Sequence, residues 1–182
     1  FKTQEELLSF TKNIIGKKFK DIDKQNLLAT NKKDKGILGK VVETGFYGYD
    51  LNSSPEADFS ELGIELKVAG FKKNKNNTIS AKERLVLSKI DYCKIIEEEF
   101  EYSKLLFKNK KLLIIWYEYD YNNKDNYGDF EIKYYQLYNM GIDEDVFKND
   151  FNIIKNKVLN GEAHLLSEGD TSYLGACTKG AK

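Results

Sequence analysis

Two periods of hydrophobic and polar residues divide this chain. The two-residue period is clearest at 64–68, where Ile64, Leu66 and Val68 alternate with Glu65 and Lys67. A strand here sends the three apolar side chains to one face and the carboxylate and ammonium to the other. Glu61-Leu62-Gly63 just upstream is a turn signal that can fold Asp58 back beside Glu65, within a hairpin covering 58–71. Residues 112–119 form a run apolar enough for a central strand, and 130–138 alternate like a strand with one buried face. Residues 85–90 and 172–177 are shorter strand candidates, and 74–78 and 121–129 read as turns.

Helical spacing occupies the rest. Residues 3–15 open on a Thr3-x-x-Glu6 capping pattern and close at Gly16, with Leu7, Leu8, Ile14 and Ile15 predicted inward. A polar stretch at 17–34 leads to a helix near 35–45 with Ile37, Val41 and Val42 as its buried side. Glu43 falls in its last turn, where the helix dipole disfavours a carboxylate unless a cation compensates; a solvated side chain is the plainer alternative. A helix over 92–107 would bury Ile95, Ile96 and Phe100, and one over 143–159 would bury Val146, Phe147, Ile153 and Ile154. Strands alternating with helices predict an α/β or α+β fold, a mixed sheet with flanking helices. Trp116, Tyr117, Tyr119, Tyr134, Tyr135 and Tyr138 fall in these strands, so sheet packing explains most of them better than base stacking does.

Composition narrows the function classes. The 182 residues suffice for one domain with a sizeable core, or a core with a small lobe. Lys plus Arg and Asp plus Glu both number 29, so a nucleic-acid partner requires locally concentrated basic charge. The run Lys72-Lys73-Asn74-Lys75 is one candidate for phosphate contact, although a solvated hairpin loop accounts for it slightly better. Two distant cysteines, Cys93 and Cys177, make neither a disulfide framework nor a zinc pattern and point to a reducing, cytoplasmic setting. Cys93 reads as a small buried helix residue. His164 is the one histidine, which excludes nucleases built on a histidine pair. No signal peptide or membrane-length apolar run occurs.

The chemistry concentrates at Asp58, Glu65 and Lys67. Two carboxylates and a lysine converging at a strand can hold a divalent metal against a phosphate and activate a water. The bare spacing is also that of a solvated hairpin, so it does not decide the matter alone.

Four blocks in order extend the pattern: Lys35-Gly36-x-x-Gly39-x-x-x-Glu43; Asp58-Phe59-x-x-x-Gly63-Ile64-Glu65-Leu66-Lys67; Lys82-Glu83-Arg84-Leu85-Val86-Leu87; and Leu166-Ser167-Glu168-Gly169-Asp170-Thr171-Ser172-Tyr173-Leu174-Gly175-Ala176-Cys177-Thr178-Lys179-Gly180-Ala181. Together they resemble the MutH-like DNA endonucleases, and within them the Sau-type restriction enzymes that cut at GATC. The resemblance implies a PD-(D/E)xK core with its active site at one sheet edge. It implies Asp58 and Glu65 as Mg²⁺ ligands, Glu43 as a further acid at the metal, and Lys67 as the catalytic lysine. A second lysine at the start of a later strand would be Lys110 or Lys111. Thr178, Lys179 and Gly180 fall in the loop that enters the DNA groove. Cys177-Thr178-Lys179 stands where the mismatch-repair members have Arg-Pro-Lys, as in the restriction branch. The implied partner is double-stranded DNA. The chain, which starts at Phe1, is expected to be the catalytic domain of a longer two-domain enzyme that works with a second domain or as a dimer. A mismatch-repair nicking enzyme and a non-catalytic DNA-binding module are the competing readings.

Overall fold

The computed structural model describes residues 1–30, 34, 36–51 and 56–177. The chain divides into two units, one formed by Phe1–Val86 with Lys111–Tyr138 and the other by Leu87–Lys110 with Asn139–Lys182.

The first unit is organised by a four-stranded mixed sheet in the order β2-β1-β3-β4, with β1 Ile64–Lys73, β2 Ile79–Ala81, β3 Lys111–Glu118 and β4 Ile132–Asn139. β1 and β3 run parallel, with Ile64 opposite Lys111, Glu65 opposite Leu112 and Lys67 opposite Ile114. β2 is antiparallel to β1 but reaches only Phe71, Lys72 and Lys73. The start of β1 therefore has a full strand neighbour on the β3 side alone among the described residues.

One face of this sheet carries the core. Ile64 and Leu66 of β1, Leu113, Ile115 and Tyr117 of β3 and Ile132 of β4 join a buried cluster. Leu7 of α1 (Gln4–Thr11) and Phe19 and Ile22 of α2 (Phe19–Ile22) pack into it. Leu27 and Leu28 of α3 (Leu27–Thr30) pack at its margin, while Val41 of α4 (Ile37–Val41) and the following Val42 lie within it. Fully burying such aliphatic side chains contributes about 1.5–3 kcal/mol each. The reading of 17–34 as merely polar is corrected here, since Phe19 is fully buried and Ile22 nearly so. In α1, Thr3 caps the helix by accepting the Glu6 N–H at 3.1 Å, and the Glu6 carboxylate accepts the Lys2 N–H at 2.8 Å and is stabilised by the Thr3 N–H as well. A 3₁₀ turn, Lys12–Ile14, replaces the last predicted turn, and Ile15 is exposed rather than buried.

An aromatic group wedges between α1 and the sheet. Tyr47 stacks edge-on against Phe59 at 5.0 Å between ring centroids, and Phe1 meets both rings. Thr11 Oγ1 and Tyr47 Oη share a buried 2.7 Å hydrogen bond, and Thr11 also donates to the Leu7 carbonyl. Burial pushes the Tyr47 phenol well above its ordinary range, against the opposing effect of the Thr11 bond. Thr11→Val, which keeps shape but leaves the phenol oxygen without its hydroxyl partner, is expected to lower stability by about 1–2 kcal/mol in urea unfolding.

The second unit is helical: α5 Tyr92–Ile95, α6 Lys104–Asn109 and α7 Glu144–Leu159. The single helix expected over 92–107 is broken. A 3₁₀ turn, Phe100–Tyr102, separates α5 from α6, and buried Ser103 starts α6 afresh by accepting the Leu106 N–H at 3.2 Å. Ile95 and Phe100 are buried as predicted, but Ile96 and Cys93 are exposed. Phe100 packs on Phe151 of α7 at 5.8 Å. Along α7, Phe147 and Ile154 are buried as expected, with Asp150 and Phe151 between them, while Val146 and Ile153 are only half-buried. Neither 85–90 nor 172–177 forms a strand. Among the described residues no helix is long and apolar enough to cross a membrane.

Candidate active site

Asp58, Glu65 and Lys67 come together through local geometry. Phe59 and Ile64 exchange backbone hydrogen bonds, Phe59 N–H to the Ile64 carbonyl at 2.9 Å and the reverse at 3.3 Å. The 3₁₀ turn Ser60–Leu62 and Gly63, at φ 61°, close this tight loop. A left-handed backbone of that kind favours glycine, which is why the turn falls there. Phe59 is clamped by Tyr47 and Tyr49, so the residue before it is fixed as well.

Asp58 and Glu65 are thereby cross-linked. The Asp58 N–H donates to Glu65 Oε2 at 3.3 Å, and the Leu66 N–H donates to Asp58 Oδ2 at 2.8 Å. Lys67 Nζ donates to Glu65 Oε1 at 2.8 Å, as expected for side chains on one strand face. The Glu65 side chain is only 5% exposed and that of Lys67 17%. This argues against the alternative of a solvated hairpin. Burial along the start of β1 does not alternate, because Leu112 and Ile114, opposite Glu65 and Lys67 on β3, are themselves buried and apolar. A paired charge in such surroundings interacts more strongly than it would in water.

Glu43 is positioned by different means. α4 passes into a turn of π-helix, Val42–Phe46, in which the Tyr47 N–H reaches back to the Val42 carbonyl at 3.1 Å. Glu43 lies in this turn, and its carbonyl accepts the Tyr49 N–H at 3.0 Å. Among the described residues no three His, Cys, Asp or Glu side chains are grouped closely enough to cage an ion. Glu43 thus does not complete a three-carboxylate cluster with Asp58 and Glu65 in this structure.

The remaining predicted residues are dispersed. Lys111 opens β3 opposite Ile64, so strand parity gives it the face of Ile64 rather than that of Glu65. Lys110 caps α6 in the other unit with helical backbone angles. Lys72 and Lys73 are strand residues rather than loop residues, and Lys73 pairs with Glu118 at 2.8 Å. They lie at the far end of β1, roughly 20–25 Å along the strand from Glu65. Lys35, Thr178, Lys179 and Gly180 lie outside the described residues. The role of the Tyr47–Phe59 clamp was not legible in advance; its only sequence signal is the density of aromatics in 46–59.

Residues 47–156 match the family described as DNA mismatch repair enzyme MutH. The chain belongs to the MutH family. That match covers more than half of the chain and takes in Asp58, Glu65 and Lys67. The chain is also 39% identical over 177 residues to the type II restriction enzyme Sau3AI of Staphylococcus aureus, covering 94% of this chain and 36% of that protein. It thus spans about a third of that relative's length. A shorter similarity links this MutH-family chain to the DNA mismatch repair protein MutH of Histophilus somni strains 2336 and 129Pt, 42% identical over 67 residues, which is 35% of this chain and 30% of that protein. The mixed sheet flanked by helices agrees with the nuclease core that membership of this family implies.

Proposed function

We propose that this chain is the catalytic part of a type II restriction endonuclease that hydrolyses phosphodiester bonds of double-stranded DNA at GATC inside the cell. The observation that carries the reading is the cross-linked trio: Lys67 on Glu65 at 2.8 Å, and Asp58 tied to both Glu65 and the Leu66 amide. Similarity to a restriction enzyme across 94% of the chain supports it.

The donor set suits Mg²⁺, since two carboxylates, Glu65 held by the Asp58 N–H and Asp58 by the Leu66 N–H, offer the hard oxygen ligands that ion takes. Asp58 and Glu65 would hold it, with Glu43 as an outer acid able to approach. A bound Mg²⁺ would supply positive charge for the non-bridging phosphate oxygens and lower the pKa of a water. Lys67 does the rest of the positioning. An ammonium carries three N–H donors, so the group that fixes Glu65 can also direct the oxygen of an attacking water and offset charge building on the phosphoryl group. The water oxygen bonds to phosphorus and sheds a proton to solvent. The bond to the 3′ oxygen breaks, and that oxygen takes a proton, leaving a 5′-phosphate and a 3′-hydroxyl. Lys179, with Thr178 and Gly180, would read base edges from the terminal loop, a lysine being able to donate to guanine. Lys72 and Lys73 would touch only distant phosphates.

One trio cuts one strand, so double-strand cleavage requires a second copy of this chain, a further domain of a longer protein, or rebinding. The second reading, a strand-nicking mismatch-repair enzyme, is favoured by the 67-residue similarity to MutH of Histophilus somni. Incubating the full-length protein and Mg²⁺ with supercoiled plasmids carrying or lacking GATC tests both. Linear product from the GATC plasmid alone, abolished by chelator, is expected. Open circles only would favour the nicking reading, and a mobility shift without cleavage would remove catalysis altogether.

A further inference from the structure

Asp150, in the middle of α7, is a buried carboxylate (1% exposed) outside the candidate active site. A carboxylate in such a place needs strong partners, and it finds them in three consecutive backbone amides. The Ser172 N–H lies 3.1 Å from both of its oxygens, and Oδ2 accepts the Tyr173 N–H at 2.6 Å and the Leu174 N–H at 3.0 Å. Neighbouring positions on the same helix face add further ties. Lys157 bonds Asp170 at 2.8 Å and the Leu165 carbonyl at 3.3 Å, and the Phe147 ring meets Tyr173 edge-on at 5.5 Å. Positions 147, 150 and 157 recur at helical spacing, so residues 165–174 are fastened antiparallel along one stripe of α7. Leu174, the last tie, is buried, as is Ala176 beyond it, and Cys177 is exposed.

Residues 172–174 thus have no strand to satisfy their amides; one side chain from α7 does so and fixes the path of the backbone there. We propose that Asp150 is a positioning residue for DNA recognition, holding the backbone of 172–174, which precedes Thr178 and Lys179 in the sequence. This rests on the reading of that segment as the part that enters the DNA groove. Asp150 touches neither DNA nor the reacting atoms. It sets where the reading side chains begin, so it governs affinity and discrimination between sites rather than the rate of bond cleavage on bound DNA.

The test uses the full-length protein with Asp150→Asn, which keeps the shape but replaces one acceptor oxygen by an amide donor facing the same N–H groups. Hydrogen–deuterium exchange at 172–174 should accelerate at least about tenfold while the α7 amides keep their protection. KM for a GATC duplex should rise about 10–100-fold with kcat within about threefold of wild type, and the preference for GATC over a one-base variant should shrink. Unchanged KM and discrimination despite accelerated exchange overturns the proposal, as does a fall in kcat with KM intact. Should Asp150→Asn disrupt α7, the half-exposed tie supplies the second variant: Lys157→Ala must shift KM in the same direction, and wild-type KM and discrimination there refute the proposal. Lys179→Ala separates the two layers of the argument. If Lys179→Ala weakens GATC binding and Asp150→Asn does not, the Asp150 assignment alone fails; if Lys179→Ala binds and discriminates as wild type, the groove-reading assignment fails.

Discussion

Lys67→Ala is expected to reduce DNA cleavage by about a thousandfold or more while the protein still folds and binds DNA. The magnitude follows from what the ammonium does. Positioned proton-transfer and charge-stabilising groups each contribute about 10²–10⁴ in rate, and Lys67 is proposed to orient the water and offset transition-state charge together. Its removal leaves Glu65 with the Asp58 N–H but without its 2.8 Å cationic partner. Some stability is therefore lost too, and the far-ultraviolet dichroism and urea midpoint must be measured beside the cleavage rate. The parallel variant Glu65→Gln should fall as far. A Lys67→Ala enzyme cutting within tenfold of wild type would show that the trio is an ion pair of the fold and that cleavage, if any, occurs elsewhere.

The second large effect is structural. A Cβ built on Gly45 would lie 1.8 Å from the Ile22 carbonyl oxygen and 2.9 Å from its carbon. Both are backbone atoms, so no side chain can swing aside. Gly45→Ala must push α2 away from the π-helical turn that carries Glu43, at an expected cost of about 3–5 kcal/mol. For a chain of this length that is a fall in Tm of roughly 10 °C or more. A drop of less than about 1 kcal/mol would mean that this turn is loosely held. Because the same turn fixes the backbone of Glu43, any folded Gly45→Ala protein should also cut more slowly, which distinguishes it from a remote destabilising change.

Much of the scaffold could be read from the chain because its determinants are short-range. The alternation around Glu65 and Lys67, the apolar run of β3 and the spacing of Phe147 and Ile154 each signal an element whose partner merely covers it. The trio was legible for the same reason: Gly63 fixes the turn, and the strand period fixes the rest. What failed to show depended on distant partners. Phe19 and Ile22 are scattered among charges in a stretch that reads as polar, yet both are buried. Tyr173 and Leu174 carry side chains suited to a strand, but the amides of 172–174 go to a carboxylate more than twenty positions away. The run Leu85, Val86 and Leu87 is apolar enough for a strand but finds no ladder, since β2 already occupies the end of β1. In 92–107 a continuous helix would set Glu97 and Glu98 against Glu101 at i,i+4 and i,i+3, like charges that oppose it, and Ser103 was the available sign that a new helix begins.

The chain crosses between its two units more than once, since β3 and β4 (within Lys111–Tyr138) are inserted between the two stretches that make up the helical unit. Neither half can therefore be obtained by simple truncation. A fragment ending at Val86 would retain Asp58, Glu65 and Lys67 yet lose the whole parallel partner of β1, from Lys111 to Glu118. Expression trials aimed at a minimal nuclease must therefore excise 87–110 with a bridging linker, or keep the chain intact.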